Sequence, residues 1–463
     1  MLETLGNTFR IPELRRRLLI TCGLLALCRI GVFIPVPGVN LLALKEMFEG
    51  FERGAGASLM GFVNIFSGGA LKQCAVFGLG VMPYISASII FQLLVQVIPS
   101  LKKLSEEGEA GRKKINQYTR YATVFLCLFQ AFMMIGALRA MGRDSNLNIF
   151  SQSFGFGMQM QAAFLMTCGT LLLMWVGEQI DEYGIGNGMS LIIMANILSR
   201  LPDAIDAVRT RFVFAMKASN PGQIDVLEMA LLIALFVGVV FGIVLITQGQ
   251  RRIPFQQAKQ MRGRRMYGGM KHYLPLQVNA ANVIPIIFAQ SLLIFPTGGA
   301  RVLKNITGSE GSWQSPFLNA IARGIETALT DGTFWYTVVY VALIFFFCYF
   351  WTAITFNPTD MAKNLQEHGS FIPGIRPGRR TAEYLERVMT RITLPGAASL
   401  CVIAVVPSLM GRAMDLPLIV TQFFGGTSIL IAVGVALDLV RKIEAQLLVR
   451  HYEGFTKGRR RRF

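Results

Sequence analysis

An all-helical protein that crosses a membrane many times is what this sequence predicts, and three observations carry that expectation. Hydrophobic residues make up 53% of the 463 positions and charged residues only 16%, with a mean hydropathy of +0.48. A soluble domain of this length carries about a quarter charged residues. Apolar runs of about 20 residues, the length needed to span a bilayer as a helix, recur along the whole chain. The basic residues that give a net charge of +18 lie between those runs rather than in one patch, which favours topology signals over a nucleic-acid surface.

Taken in order, the apolar runs predict ten spans, at roughly 18–36, 71–98, 119–141, 162–180, 188–207, 227–247, 276–296, 334–356, 390–410 and 417–437. The first follows Arg15, Arg16 and Arg17 and imitates a secretory signal. It lacks a small-residue cleavage site and runs into Pro35 and Pro37, so it reads as a retained span. With ten spans both termini share a side. That side holds 31 of the 45 Lys and Arg residues, against 13 opposite, with Arg29 inside the first span; the termini are therefore expected in the cytoplasm. Two halves of five spans, 1–211 and 212–440, have opposite orientations because five is odd. If they are repeats, they are inverted ones. A basic tail, 441–463, follows.

Two cytoplasmic connections are too long for simple turns. Gln248–Leu274 is basic and carries Phe255, Tyr267 and Tyr273, and Phe356–Arg387 sets Pro and Gly around Arg376. On the other side, Phe317, Ile321, Ile325 and Leu329 recur at i+4 steps within Pro316–Thr330, as in a short amphipathic helix on the membrane surface.

Familiar catalytic chemistry is missing from the sequence. The seven cysteines fall in apolar segments without metal spacing, and the three histidines lie in cytoplasmic loops or the tail. There is no H-E-x-x-H, no G-x-S-x-G and no P-loop pattern, so no enzymatic activity, cofactor or metal is expected, and energy for transport must come from outside the chain. A secondary transporter is the competing class, because broken helices and inverted repeats are shared features. Ion-coupled transporters usually place ionisable groups near the bilayer middle. Here Arg29, Lys72, Arg139, Glu178 and Asp438 sit toward span ends, which disfavours that class.

The stretch Phe62–Leu94 is organised unlike the others. An apolar half-segment too short to cross breaks at Gly68–Gly69, and the chain is expected to restart as a long helix carrying its own Gly and Pro. Irregular backbone at membrane depth is tolerated only where protein covers it or it lines a cavity, so the break marks a candidate gate or binding site.

The residues of this stretch, FSGGALKQCAVFGLGVMPYISASIIFQLL, together with GEAGRKKINQYTRY, EYGIGNGMSLII, QGQRRIP, VIPIIFAQSLLIFP, GSFIPGIRPGRRTAEYLERVMTRITLPGA and FGGTSILI, resemble the SecY family in order over nearly the whole chain. The resemblance implies a ten-helix clamshell with a central pore and a short plug helix, opening across the membrane and sideways into lipid. It implies a pore ring of Val81, Ile85, Met189, Ile193, Ile287 and Ile431. Its plug, at about 59–69, includes Phe62, Asn64, Phe66, Ser67, Gly68 and Gly69. Its lateral gate uses the polar residues Ser88, Gln92, Gln130, Gln290 and Ser291. Val81/Ile85 and Met189/Ile193 are i, i+4 pairs and so share a helix face, a spacing that ordinary packing also produces. A motor- or ribosome-binding surface is expected from Arg251, Arg252, Arg262, Arg264, Arg265 and Arg376, whose guanidinium groups suit acidic protein surfaces and RNA phosphates. The implied partners are SecE and SecG, the SecA ATPase or a ribosome, secretory and membrane-protein substrates, and lipid. The implied location is the bacterial cytoplasmic membrane.

Overall fold

The computed structural model describes residues 11–51, 64, 66–144, 149–150, 155–212, 224–257, 260–262, 265–267, 271–293, 324, 327–328, 333–414, 416, 418–424 and 427–460. The chain is mostly helical and forms two compact units. One comprises Met1–Asp225, Asp415–Phe423 and Ile431–Phe463; the other comprises Val226–Met414 and Phe424–Leu430.

The first unit begins with α1, Pro12–Val32, whose proline at the first turn lacks only an N–H that no helix could use. The chain then runs extended and pairs with a later segment: Val36 N–H donates to the Cys74 carbonyl (3.0 Å) and Val76 N–H to Ile34 (2.9 Å). Asn40 caps α2, Leu41–Phe51, accepting from Leu42 N–H at 3.1 Å. The spacing Ala43, Leu44, Met47, Phe48 gives α2 one apolar face, buried on Leu71, Cys74, Leu138 and Ile149.

The predicted restart as a long helix at 71 is not what forms. Residues 67–81 are a series of turns, with positive φ at Gly68, Gly69, Cys74 and Gly80, and α3 spans only Met82–Val97. The pairing with 34–36 occupies backbone groups that a helix would have used internally. A 99° bend at Ile98 leads to α4, Pro99–Glu106, because the proline cannot continue the ladder.

Next, α5 (Glu109–Asp144) and α6 (Phe156–Tyr183) pack through Ala131, Ile135, Ala162, Ala163 and Met166. Small side chains let the backbones approach, and Gln159 Nε2 donates across to the Phe132 carbonyl at 3.3 Å. The turn into α7 (Gly188–Leu198) is held by Asn187, which caps Ser190 N–H at 3.0 Å, and by Asp181, which accepts from Gly188 N–H at 2.8 Å. The expected fifth span is interrupted. After α7 the chain turns at Ser199–Arg200, and α8 (Leu201–Arg211) starts with Pro202 in its first turn. Of the tenth span, α14 covers Leu418–Phe424 and α15 covers Thr427–Arg460; Ile443 of α15 is buried with Leu14 and Ile185.

In the second unit, α9 (Val226–Gln248) enters a small sheet, where the expectation was of helices alone. β1 (Gln250–Gln257) lies between β4 (Lys271–Gln277) and β5 (Ser370–Phe371), all antiparallel, with Ile253 opposite Leu274. A short hairpin of β2 (Gln260–Arg262) and β3 (Arg265–Tyr267) joins them. Only α10, Ile284–Leu293, is helical in the described part of the seventh span. The remaining helices are α11 (Phe334–Thr355), α12 (Pro358–Glu367) and α13 (Arg379–Ala413). Leu385, Val388, Met389 and Ile392 of α13, at helical spacing, bury Ile253, Leu276 and Ile372 and give the sheet layer its own core. Phe288 of α10 meets Phe347 and Trp351 of α11, with ring centres 5.3 and 5.7 Å away.

Among the described residues, five helices are long and apolar enough to cross a membrane, or six if the bent pair α3–α4 counts as one. The amphipathic helix expected at Pro316–Thr330 lies outside the described residues except at 324, 327 and 328.

Candidate gate at the glycine turn

Asn64, Phe66 and Ser67 lead into Gly68 (φ +64°) and Gly69 (φ +94°), left-handed values that glycine adopts without a Cβ penalty. The turn satisfies itself in part: Gly69 N–H and the Ser67 hydroxyl both donate to the Asn64 carbonyl, at 2.8 and 3.1 Å. Ser67 Oγ accepts from Leu71 N–H at 3.3 Å, and Asn64 Oδ1 accepts from Lys72 N–H at 3.2 Å. Phe62, assigned to the same segment, lies outside the described residues.

Two carbonyls of the turn are held from elsewhere. Asn196 of α7, 5% exposed, donates from Nδ2 to the Phe66 carbonyl at 2.9 Å. Arg29 of α1 directs Nη1 and Nη2 to the Gly68 carbonyl and Nη1 to Asn196 Oδ1, each at 3.4 Å. The guanidinium of Arg200 lies against Gly69, where a Cβ would fall 2.6 Å from Nη2 and 2.7 Å from Cζ. Its Nη1 pairs with Asp203 at 2.5 Å. Two guanidinium groups therefore flank the glycine pair.

The sequence reading did not include Arg29, Asn196 or Arg200 in the site. One signal was available: Met189, Ile193, Asn196 and Arg200 follow i, i+4, i+7, i+11 spacing, so the face carrying two ring candidates turns polar toward the glycine turn.

The ring candidates fall as follows. Val81 is fully buried and caps α3, with Ile85 N–H bonded to its carbonyl at 3.1 Å. Beside it, Gly80 packs on the turn; a Cβ there would lie 3.3 Å from Ser67 Cα. Ile193 is buried on α7, whereas Met189 is half-buried with its sulfur against Gly177 of α6. Ile431 is buried in the first unit and Ile287 in the second.

The polar residues assigned to a gate seam behave differently from one another. Gln92 Nε2 donates to Ser88 Oγ at 3.4 Å within α3, a bond along one helix rather than across two. Gln130 is half-buried on α5. Gln290 Oε1 and Ser291 Oγ of α10 are buried without a hydrogen-bond partner among the described residues.

Of the basic candidates, Arg251 and Arg252 are exposed on β1, and Arg376 is exposed in a turn between Gly374 and Gly378, where the Thr381 hydroxyl bonds its carbonyl at 2.9 Å. Arg262 and Arg265 pair in the β2–β3 register, and Arg264 lies outside the described residues.

The SecY family model matches residues 75–440. The protein translocase subunit SecY of Mycobacterium tuberculosis strain H37Rv is 43% identical over 99% of this chain and 100% of its own length. The chain belongs to the SecY family. The SecY subunit of Thermotoga maritima is 41% identical, with 99% and 98% covered. A solved protein-conducting channel superposes with a TM-score of 0.59 over 93% of this chain and 92% of its own, at 17% identity, a likeness of fold. Sec61 in the canine ribosome–channel complex from the endoplasmic reticulum gives 0.56 at 16% identity. With its membrane-spanning helices, this SecY-family chain is a multi-pass membrane protein.

Proposed function

We propose that this SecY-family chain, a translocase channel subunit, passes unfolded secretory polypeptides across the bacterial cytoplasmic membrane and releases apolar segments sideways into lipid. The observation that carries the reading is the non-helical turn Ser67–Gly69 within an apolar stretch: Arg29 holds its Gly68 carbonyl, Asn196 holds the preceding Phe66 carbonyl, and Gly80, next to Val81, packs on it. In this reading the turn is the hinge of a plug that closes a ring of Val81, Ile85, Met189, Ile193, Ile287 and Ile431. An aliphatic ring excludes water and ions by dewetting and offers a passing chain no strong binding site.

Ser88, Gln92, Gln130, Gln290 and Ser291 form the seam that a signal segment parts. The oxygens of Gln290 and Ser291, without a hydrogen-bond partner among the described residues, support this role, because they hold hydrogen-bonding capacity that a partner can take up. SecE and SecG complete the membrane complex. Either SecA or a ribosome engages Arg376 and the exposed arginines of β1 from the cytoplasm, where both termini lie. The chain performs no catalysis of its own.

Site-specific crosslinking from Ile85 and Ile287 to a stalled secretory chain tests this. Crosslinks at both positions are expected. Their absence, combined with uptake of a small solute, overturns the channel reading in favour of a transporter.

A further inference from the structure

The three polar side chains around the glycine turn do not hold it in the same way. Asn196 and Arg29 engage the carbonyls of Phe66 and Gly68. Among the described residues Arg200 makes one ion pair, through Nη1 to the half-exposed Asp203, while its own side chain is only 13% exposed. Its Nε and Nη2 are buried, have no hydrogen-bond partner among the described residues, and lie on the Gly69 side of the guanidinium. A guanidinium cannot neutralise itself by losing a proton, so idle buried donors penalise the conformation that leaves them idle.

We propose that Arg200 is a positioning residue for the displaced hinge: Arg29 and Asn196 hold the carbonyls of the turn when the plug is seated, and Arg200 takes up a hinge carbonyl when it moves. Both glycines allow the change, since each already lies in backbone space that other residues rarely visit, and a peptide rotation at Gly68–Gly69 re-aims a carbonyl without moving a side chain at that position. The seated state is thus held by bonds it has made and opposed by bonds it leaves unmade. Such a device needs only a small driving force to change over. The proposal rests on the plug reading above.

It makes Asn196 and Arg200 act with opposite sign. Asn196→Ala removes a contact of the seated state, whereas Arg200→Met, which keeps the apolar stem, removes the Nε and Nη2 donors that only the displaced state uses, along with an Nη1 pair to Asp203 that lies within the first turn of α8 and does not touch the glycine turn. In proteoliposomes holding the wild-type or variant chain with its partner subunits, resting halide leak and motor-driven export of a secretory substrate are measured side by side. Asn196→Ala is expected to raise the leak about tenfold, and Arg200→Met to lower export about tenfold without raising the leak. Arg200→Lys, which keeps the charge but loses the fork, is expected to fall between Arg200→Met and wild type in export. A merely structural role would move both sites together, raising leak and lowering export. That pattern, or wild-type export by both Arg200 variants, overturns the proposal. Loss of export in the wild-type reconstitution itself would instead refute the channel reading.

Discussion

Replacing Gly69 by alanine perturbs the turn at the point where backbone and Arg200 meet. The backbone there has φ +94°, and holding a non-glycine residue in such a region costs about 1–3 kcal/mol. The new methyl also meets Arg200 Nη2 at 2.6 Å, so the guanidinium must move and loosen its pair with Asp203. That pair joins a buried group to a half-exposed one and is worth at most about 1 kcal/mol. The pair lies in the first turn of α8 and not in the glycine turn, so the backbone strain alone, about 2 kcal/mol, acts against the closed turn, or roughly a 30-fold rise in its open fraction. Cys74 is a native reporter, 1% exposed and packed under α2 in the same segment. With the other six cysteines replaced, its rate of reaction with a small maleimide tracks how often the segment opens. Gly69→Ala is expected to raise that rate by about 10- to 30-fold. Gly108→Ala provides the control: its φ is +82° but nothing lies within 4 Å of its Cβ position, so Cys74 should not respond. An unchanged rate in Gly69→Ala, or an equal rise in Gly108→Ala, refutes the assignment of strain to this turn.

Three further outcomes are expected. Cysteines at Ser67 and Gly80 have Cβ positions 3.6 Å apart, within disulfide range, and oxidising that pair should stop export reversibly; undiminished export by the oxidised protein would show that the turn does not move. Arg376→Glu reverses the charge of an exposed side chain in a turn stabilised by its backbone, so motor-driven export in membrane vesicles should fall more than about tenfold with the fold intact. Normal export by that variant would remove Arg376 from the docking surface. Leu385→Ala opens a cavity in the core between sheet and α13, costing about 2–5 kcal/mol, and protease should then cut the Gln248–Leu274 connection faster than in wild type.

How much was legible can be judged segment by segment. The helices at 156–183, 226–248 and 334–355 follow from apolar runs long enough to span a bilayer, and their bounds fall close to those expected. The break at Gly68–Gly69 was legible because a glycine pair permits left-handed backbone. The turns from Ala70 to Val81 were not, since ALKQCAVFGLGV has the composition of a span. What prevents a helix is pairing with Ile34 and Val36, some forty residues earlier. The sheet was likewise hidden: QGQRRIPFQQ lacks clean alternation, and its apolar support comes from α13, more than a hundred residues later.

The site divides in the same way. Hydropathy and charge add up along the chain, so by itself the sequence determined that this protein crosses a membrane repeatedly and where its backbone breaks. Matched motifs added the ring and gate residues as expectations. A hydrogen bond, by contrast, needs two groups within about 3 Å whatever their separation in sequence. Only the tertiary structure decided that Arg29 and Asn196, 167 residues apart, hold the carbonyls of the glycine turn, and that Arg200 lies beside it with two donors unused among the described residues.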